Sequence, residues 1–202
     1  MDFIKKLKIA AGIKLNKHEN DIEQDHLKIT QNDTVDEVFA KTLLKNNGNF
    51  FYCAKKDDLL KTVRSLVNKL NTKSIFCTET IIQELLNNTE VNYSASDYTN
   101  CDVMISSCEY LIAHHGKIML SSKQLGPNMI KNLPHQHIVI AYTSQIVKNL
   151  NEAMSGINTR YIHEGLPSTI TTITSIKKNN NKNNIEGNTK SLSVILIEDF
   201  KH

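Results

Sequence analysis

No stretch of the 202-residue chain stays apolar for anything near the roughly 18 residues that a membrane-spanning helix needs, so no membrane crossing is expected. The N-terminus also lacks the uninterrupted apolar core and small-residue cleavage site of a secretory signal, because lysines interrupt it throughout. A cytoplasmic location follows as the expectation. A surplus of one charge is missing too: 24 Lys and Arg stand against 21 Asp and Glu. The resulting +3 is local, since residues 1–20 hold five Lys against two acids and the remainder sums to zero. That argues against a broad basic face of the kind that drives nucleic-acid binding.

The cysteines are few and unpaired in spacing. Cys53, Cys77, Cys101 and Cys108 form no Cys-x-x-Cys and lie in or beside apolar runs, which reads as small buried hydrophobes in a reducing compartment. No iron–sulfur cluster, zinc site or other cofactor held by this chain alone is expected. There is also no Gly-x-Ser-x-Gly elbow, no Walker motif and no His-Glu-x-x-His.

What is present is the composition of a globular domain, 40% hydrophobic and 22% charged. Phe3, Ile4, Leu7, Ala10 and Ala11 fall on one helical face, so residues 1–15 read as an amphipathic helix that packs on its own domain or meets a membrane surface or partner. Residues 16–32 are polar without period and read as a linker. We therefore divide the chain into an N-terminal helix and linker, 1–32, and an α/β domain, 33–202.

Within that domain strands and helices alternate. Thr34-Val-Asp-Glu37 is a capping-box pattern that starts a helix over 34–46, ended by Asn47-Gly48. A strand at 49–53, a helix over 57–70, a strand at 73–77, a helix over 79–87 and a short strand at 91–93 follow. Val103–Ile105, Ile118–Leu120 and Ile138–Ala141 are buried-strand runs, and Ser144 is placed to cap a helix bearing Ile146, Val147, Leu150, Ala153 and Met154. Residues 155–168 read as a loop, 169–174 and 192–197 as strands, and 177–184 as a mobile Lys/Asn tract. Alternation of this kind implies an α/β fold with a mostly parallel sheet flanked by helices.

Several residues could carry chemistry. In Ala113-His114-His115-Gly116-Lys117 the glycine admits a positive φ, and the imidazoles and ammonium could bind an anion; the alternative is a solvent-facing turn. Glu109 is the one carboxylate in an apolar, small-residue run, and burial would suit it to acid–base or nucleophilic work, against the alternative of an exposed strand end. Ser121 and Ser122 with Lys123 lead into Gly126-Pro127, where a proline in the first turn of a short helix would complete an anion cradle. His135 and His137 share a strand face, with a structural role as the alternative. Tyr142, Thr143 and Ser144 sit where that strand ends, the usual ligand crevice of an open α/β sheet. These residues together outline a small anionic ligand pocket, with no metal site.

The order of the segments Cys101-Asp-Val, Ala113-x-x-Gly116-x-Ile118, Leu120-Ser-Ser122, Leu133-Pro-x-x-His137-Ile-Val139 and Tyr142-Thr-Ser-Gln-Ile-Val147 resembles the LUD (lactate utilisation) domain family, in particular its stand-alone members similar to lactate-utilisation protein C. The likeness continues through Gly165-Leu-Pro-Ser168 to Val194-Ile-Leu-Ile-Glu198. It implies a sugar-phosphate isomerase and CoA-transferase-like α/β fold. It further implies an accessory part in oxidising L-lactate to pyruvate beside iron–sulfur oxidoreductase partners that carry the redox centres. The opposing expectations are an acyl-CoA or phosphate-ligand enzyme acting through Glu109, and a diverged member with only an interaction role. The His114–Lys117 turn stands where relatives carry Ala-Glu-Thr-Gly-Ser or Ala-Arg-Thr-Gly-Ser.

Overall fold

Strands such as 136–142 and 189–197, rich in Val, Ile and Leu, are apolar on both faces and so must be covered twice. The computed structural model, which describes residues 27–89, 91–175 and 188–198, provides both covers. In chain order the elements are α1 (Val35–Lys45), β1 (Asn49–Cys53), α2 (Lys56–Lys69), β2 (Ser74–Phe76), α3 (Thr80–Leu86), β3 (Asn92–Ser94), β4 (Val103–Ser106), β5 (Tyr110–Ile112), β6 (Lys117–Ser121), α4 (Ser122–Leu125), β7 (Gln136–Tyr142), β8 (Ile146–Val147), α5 (Leu150–Arg160), β9 (Ile170–Ser175) and β10 (Thr189–Ile197). Single 3-10 turns occupy Ala113–His115, Ile130–Asn132 and Thr143–Gln145.

The main sheet runs β3-β2-β4-β7-β10-β1 with every neighbour parallel. Thr189 and Lys190, the first residues of β10, also pair with the end of β9. That seam joins a smaller sheet, β9-β6-β5-β8, in which β6 is antiparallel to both of its neighbours. The fold is thus α/β with a mostly parallel sheet, as expected.

Alternation along the central strands sends Val139, Ala141, Leu192, Val194 and Leu196 to one face and Ile138, Ile140, Ile195 and Ile197 to the other. Helices α2 and α3 cover the second face with Leu59, Val63, Leu66, Val67, Ile82 and Leu86, residues at helical spacing. The first face packs against α1, through Phe39, Ala40 and Leu43, and against Leu111, Ile118, Leu120 and Ile173 of the small sheet. Helix α5 closes the far side of the small sheet with Ala153 and Ile157 over Ile112 and Met119. No helix among the described residues is long and apolar enough to cross a membrane.

Three local expectations are corrected. Ser144 caps no helix: Ile146 and Val147 form β8 beside β5, and α5 starts later, with the Asn149 side chain accepting from the Glu152 amide. That helix then runs to Arg160 instead of giving way to a loop at 155, and Tyr110 packs where a larger residue than Gly156 would stand. Pro127 starts no helix either, because α4 begins at Ser122 behind the Ser121 cap and ends at Gly126, whose φ is 60°. The expected helix over 1–15 and the tract 177–184 lie outside the described residues.

Candidate functional site

The C-terminal ends of β2, β4 and β7 point the same way, and the residues that follow them, Glu79, Ser107 to Glu109 and Thr143 to Gln145, meet the start of α4. Glu109 is the centre of this meeting. It is 1% exposed, and both carboxylate oxygens are engaged. Oε1 accepts from the Ser121 hydroxyl at 2.6 Å, the Tyr161 hydroxyl at 2.9 Å and the Gln124 amide at 3.4 Å. Oε2 accepts from Arg160 Nη1 at 2.7 Å. A buried carboxylate is tolerated only with this degree of compensation.

The network reaches a second acid. Gln124 Nε2 also lies 3.4 Å from Ser107 Oγ, and the Ser107 amide and hydroxyl both donate to the Glu79 carboxylate, the amide at 2.7 Å. Burial pushes the Glu79 carboxyl above the usual range, opposed by the two Ser107 bonds and reinforced by the charge of Glu109. Burial, and then the bond to Glu109, likewise raise the Tyr161 phenol. Above the cluster Arg160 stacks on the Tyr110 ring at 4.8 Å, and Lys123 Nζ lies 4.5 Å from the centre of the Tyr161 ring.

The expected anion cradle is rearranged by this chemistry. The Ser121 hydroxyl faces a carboxylate, the Ser122 amide donates to the Thr169 carbonyl at 2.9 Å, and Lys123 pairs with Glu164 at 3.0 Å in solvent. Gln145 ties the Tyr142–Ser144 turn to the cluster by donating to the Cys108 carbonyl at 2.6 Å and to that of Glu109 at 3.4 Å. Tyr142 and Ser144 are exposed there and Thr143 is half-buried.

The other candidates lie elsewhere. His114, His115, Gly116 and Lys117 form the β5–β6 turn, at the end of that hairpin away from Glu109 and Ser121. Both imidazoles and the ammonium are exposed, whereas Gly116, at φ 58°, is buried against α1. His137 lies near the start of β7, 1% exposed, with Nε2 2.8 Å from Ser106 Oγ; His135 precedes the strand and is exposed. Burial first and the charge of Lys190 second push the His137 imidazole down to about 3.

The four thiols are free. Burial raises those of Cys53 and Cys108 and pushes that of Cys77 up to about 12, so these three are poor nucleophiles. Among the described residues no three His, Cys, Asp or Glu side chains come together to hold a metal ion.

Of the cluster, sequence reasoning found Glu109 and Ser121 and missed Glu79, Ser107, Gln124, Arg160 and Tyr161. Gln124 was readable as the third residue after a Ser cap, a capping-box position, and it does accept from the Ser121 amide at 2.7 Å. Arg160 and Tyr161 carried no such signal, because they reach the site only when α5 continues past Gly156.

A family model described as the LUD domain matches residues 94–197, a span that holds every member of the cluster except Glu79. No curated protein matches the chain. Among solved structures the chain is similar to a DUF162 family protein from Deinococcus radiodurans, with 17% identity and a TM-score of 0.60 over 81% of this chain and 96% of that one. At that identity the likeness speaks for the fold.

Proposed function

The chain belongs to the LUD domain family, and from that premise we propose that it is an accessory component of cytosolic L-lactate oxidation to pyruvate, acting beside iron–sulfur oxidoreductase subunits, and not an acyl-transfer enzyme. The observation that carries this reading is the state of Glu109. A carboxylate nucleophile needs an oxygen free to approach a carbonyl carbon along an open path. Here the carboxyl group is 1% exposed and accepts from Ser121, Tyr161, Gln124 and Arg160. Its geometry suits holding β5, α4 and α5 in register at the mouth of the sheet. The lactate role and the iron–sulfur partners come from the family resemblance.

The test uses the whole chain. Incubation with acetyl-CoA followed by hydroxylamine and peptide mass spectrometry should give no acyl or hydroxamate adduct at Glu109, while addition of the chain to iron–sulfur oxidoreductase subunits should raise their lactate-dependent dye reduction several-fold. A hydroxylamine-sensitive adduct on the peptide containing Glu109 would overturn the accessory reading in favour of acyl transfer.

A further inference from the structure

Strand β9 is paired along one edge and only at its end along the other. On the paired edge its register with β6 runs from Ser121↔Ile170 to Ile118↔Ile173, and the Ser122 amide extends that ladder by donating to the Thr169 carbonyl at 2.9 Å. Hydrogen-bonded pairs alternate in an antiparallel ladder, so Thr169, Thr171 and Ile173 turn their amides and carbonyls to β6, and Ile170, Thr172 and Thr174 turn theirs outward. The Asn188 carbonyl accepts from the outward amide of Thr174 at 3.2 Å, and β10 pairs only with Thr174 and Ser175. Among the described residues no strand lies beside the outward groups of Ile170 and Thr172.

A cavity of about 550 Å³ adjoins this edge. Thr169 and Thr171, which share one face of β9, line it together with the segment 125–131. Leu125, Met129 and Ile130 make part of the lining apolar, and Met129 is itself an exposed large hydrophobic residue. The one charged side chain in the lining is that of Lys131, which is exposed and has no ion pair among the described residues. No carboxylate lines the cavity.

An unpaired strand edge is a template for a further strand, whose backbone supplies the bonds and whose alternate side chains supply the specificity. We propose that the outer edge of β9 and the adjoining cavity form a docking groove for an extended segment of a partner protein, in which an acidic and an apolar residue stand two positions apart. The backbone of that segment pairs with the outward amides and carbonyls of Ile170 and Thr172. Every second side chain then stands on the face of Thr169 and Thr171, where the cavity offers Leu125, Met129 and Ile130 to an apolar group and Lys131 to a carboxylate. Charge selects a partner over a second copy of this chain, because the β9 sequence Thr169-Ile-Thr-Thr-Ile-Thr174 brings no carboxylate to Lys131. The edge selects a polypeptide over a small molecule, because only a polypeptide repeats amides and carbonyls at the spacing of a strand.

The test is fluorescence anisotropy on the whole chain with labelled acetyl-Thr-Glu-Thr-Leu-Thr and, for the opposite strand direction, acetyl-Thr-Leu-Thr-Glu-Thr. At least one should bind saturably, and exchanging its Glu for Lys should weaken binding severalfold. N-methylating its three Thr amides, or its Glu and Leu amides, should weaken binding unequally, because only one of these alternate sets faces β9. Lys131→Glu should reverse the preference between the Glu and Lys peptides. Thr172→Pro removes an outward amide and spares the ladder to β6, so it should weaken binding at least tenfold, with circular dichroism establishing that the variant folds. The peptide series and Lys131→Glu, at an exposed position, carry the test if Thr172→Pro does not fold. The proposal falls if neither peptide binds, if both N-methylated sets bind alike, or if Lys131→Glu leaves the preference unchanged. A dimer in sedimentation equilibrium that folded Thr172→Pro dissociates would assign the edge to a second copy and overturn it as well.

Discussion

Arg160 Nη1 lies 2.7 Å from Glu109 Oε2, joining a guanidinium side chain that is 40% exposed to a carboxylate side chain that is 1% exposed. The pair spans 51 residues of sequence and fixes the end of α5 to the start of β5. Its two halves are unequal. Arg160 can be rehydrated when its partner is removed, whereas Glu109 cannot.

Arg160→Ala should therefore destabilise the fold by about 1–3 kcal/mol, the cost of an under-compensated buried acceptor discounted for the exposed partner. Arg160→Lys should recover only part of this, because an ammonium on a flexible stem does not reproduce the planar stacking on Tyr110. Urea unfolding at pH 7 measures both; equal midpoints for wild type and Arg160→Ala would show that the pair is dispensable.

Gly116 sits in the left-handed region, and a Cβ added there would stand 3.0 Å from the Leu43 amide nitrogen and 3.1 Å from the Thr42 carbonyl carbon, both backbone atoms of α1. Gly116→Ala should cost about 1–3 kcal/mol through backbone strain and the displacement of α1. Substituting the exposed His114 and His115 by Ala should change stability by less than about 0.5 kcal/mol each. Thermal unfolding of the three variants orders them. A ranking with either histidine variant below the glycine variant would show that the turn is held by its imidazoles, not by its backbone.

The fold was legible where local rules and burial agree. The capping signal at Thr34 and the Leu59, Val63, Leu66 spacing predicted α1 and α2 within a residue, and the apolar runs located the central strands. Legibility ended where tertiary packing overrides the local pattern. Ile146 and Val147 read as part of a helix until β5 offers its edge, and Gly156 and Ser155 read as a loop until Tyr110 packs against the helix. Glu109 stood out because a lone carboxylate in an apolar run needs an explanation. Lys190 did not, since its burial follows from the β9–β10 seam, a pairing that no short-range signal encodes.

His137 supplies a test of that seam through pH. Its imidazole titrates at an ordinary 6.5 when unfolded and is pushed down to about 3 in the fold by burial and by Lys190. Between those values the unfolded chain binds a proton that the folded chain refuses, so stability rises with pH. The contribution is fully present above 6.5 and is lost as pH falls, at up to about 1.4 kcal/mol per pH unit. His135, lowered in the same direction, and the carboxylates add slopes of their own, so the comparison must be between variants. His137→Gln keeps a polar side chain beside the Ser106 hydroxyl and removes the titration. From pH 7 to pH 5.5 wild type should lose about 1 kcal/mol more stability than His137→Gln, read from urea unfolding at the two pH values. Parallel losses would mean that His137 accepts its proton in the fold.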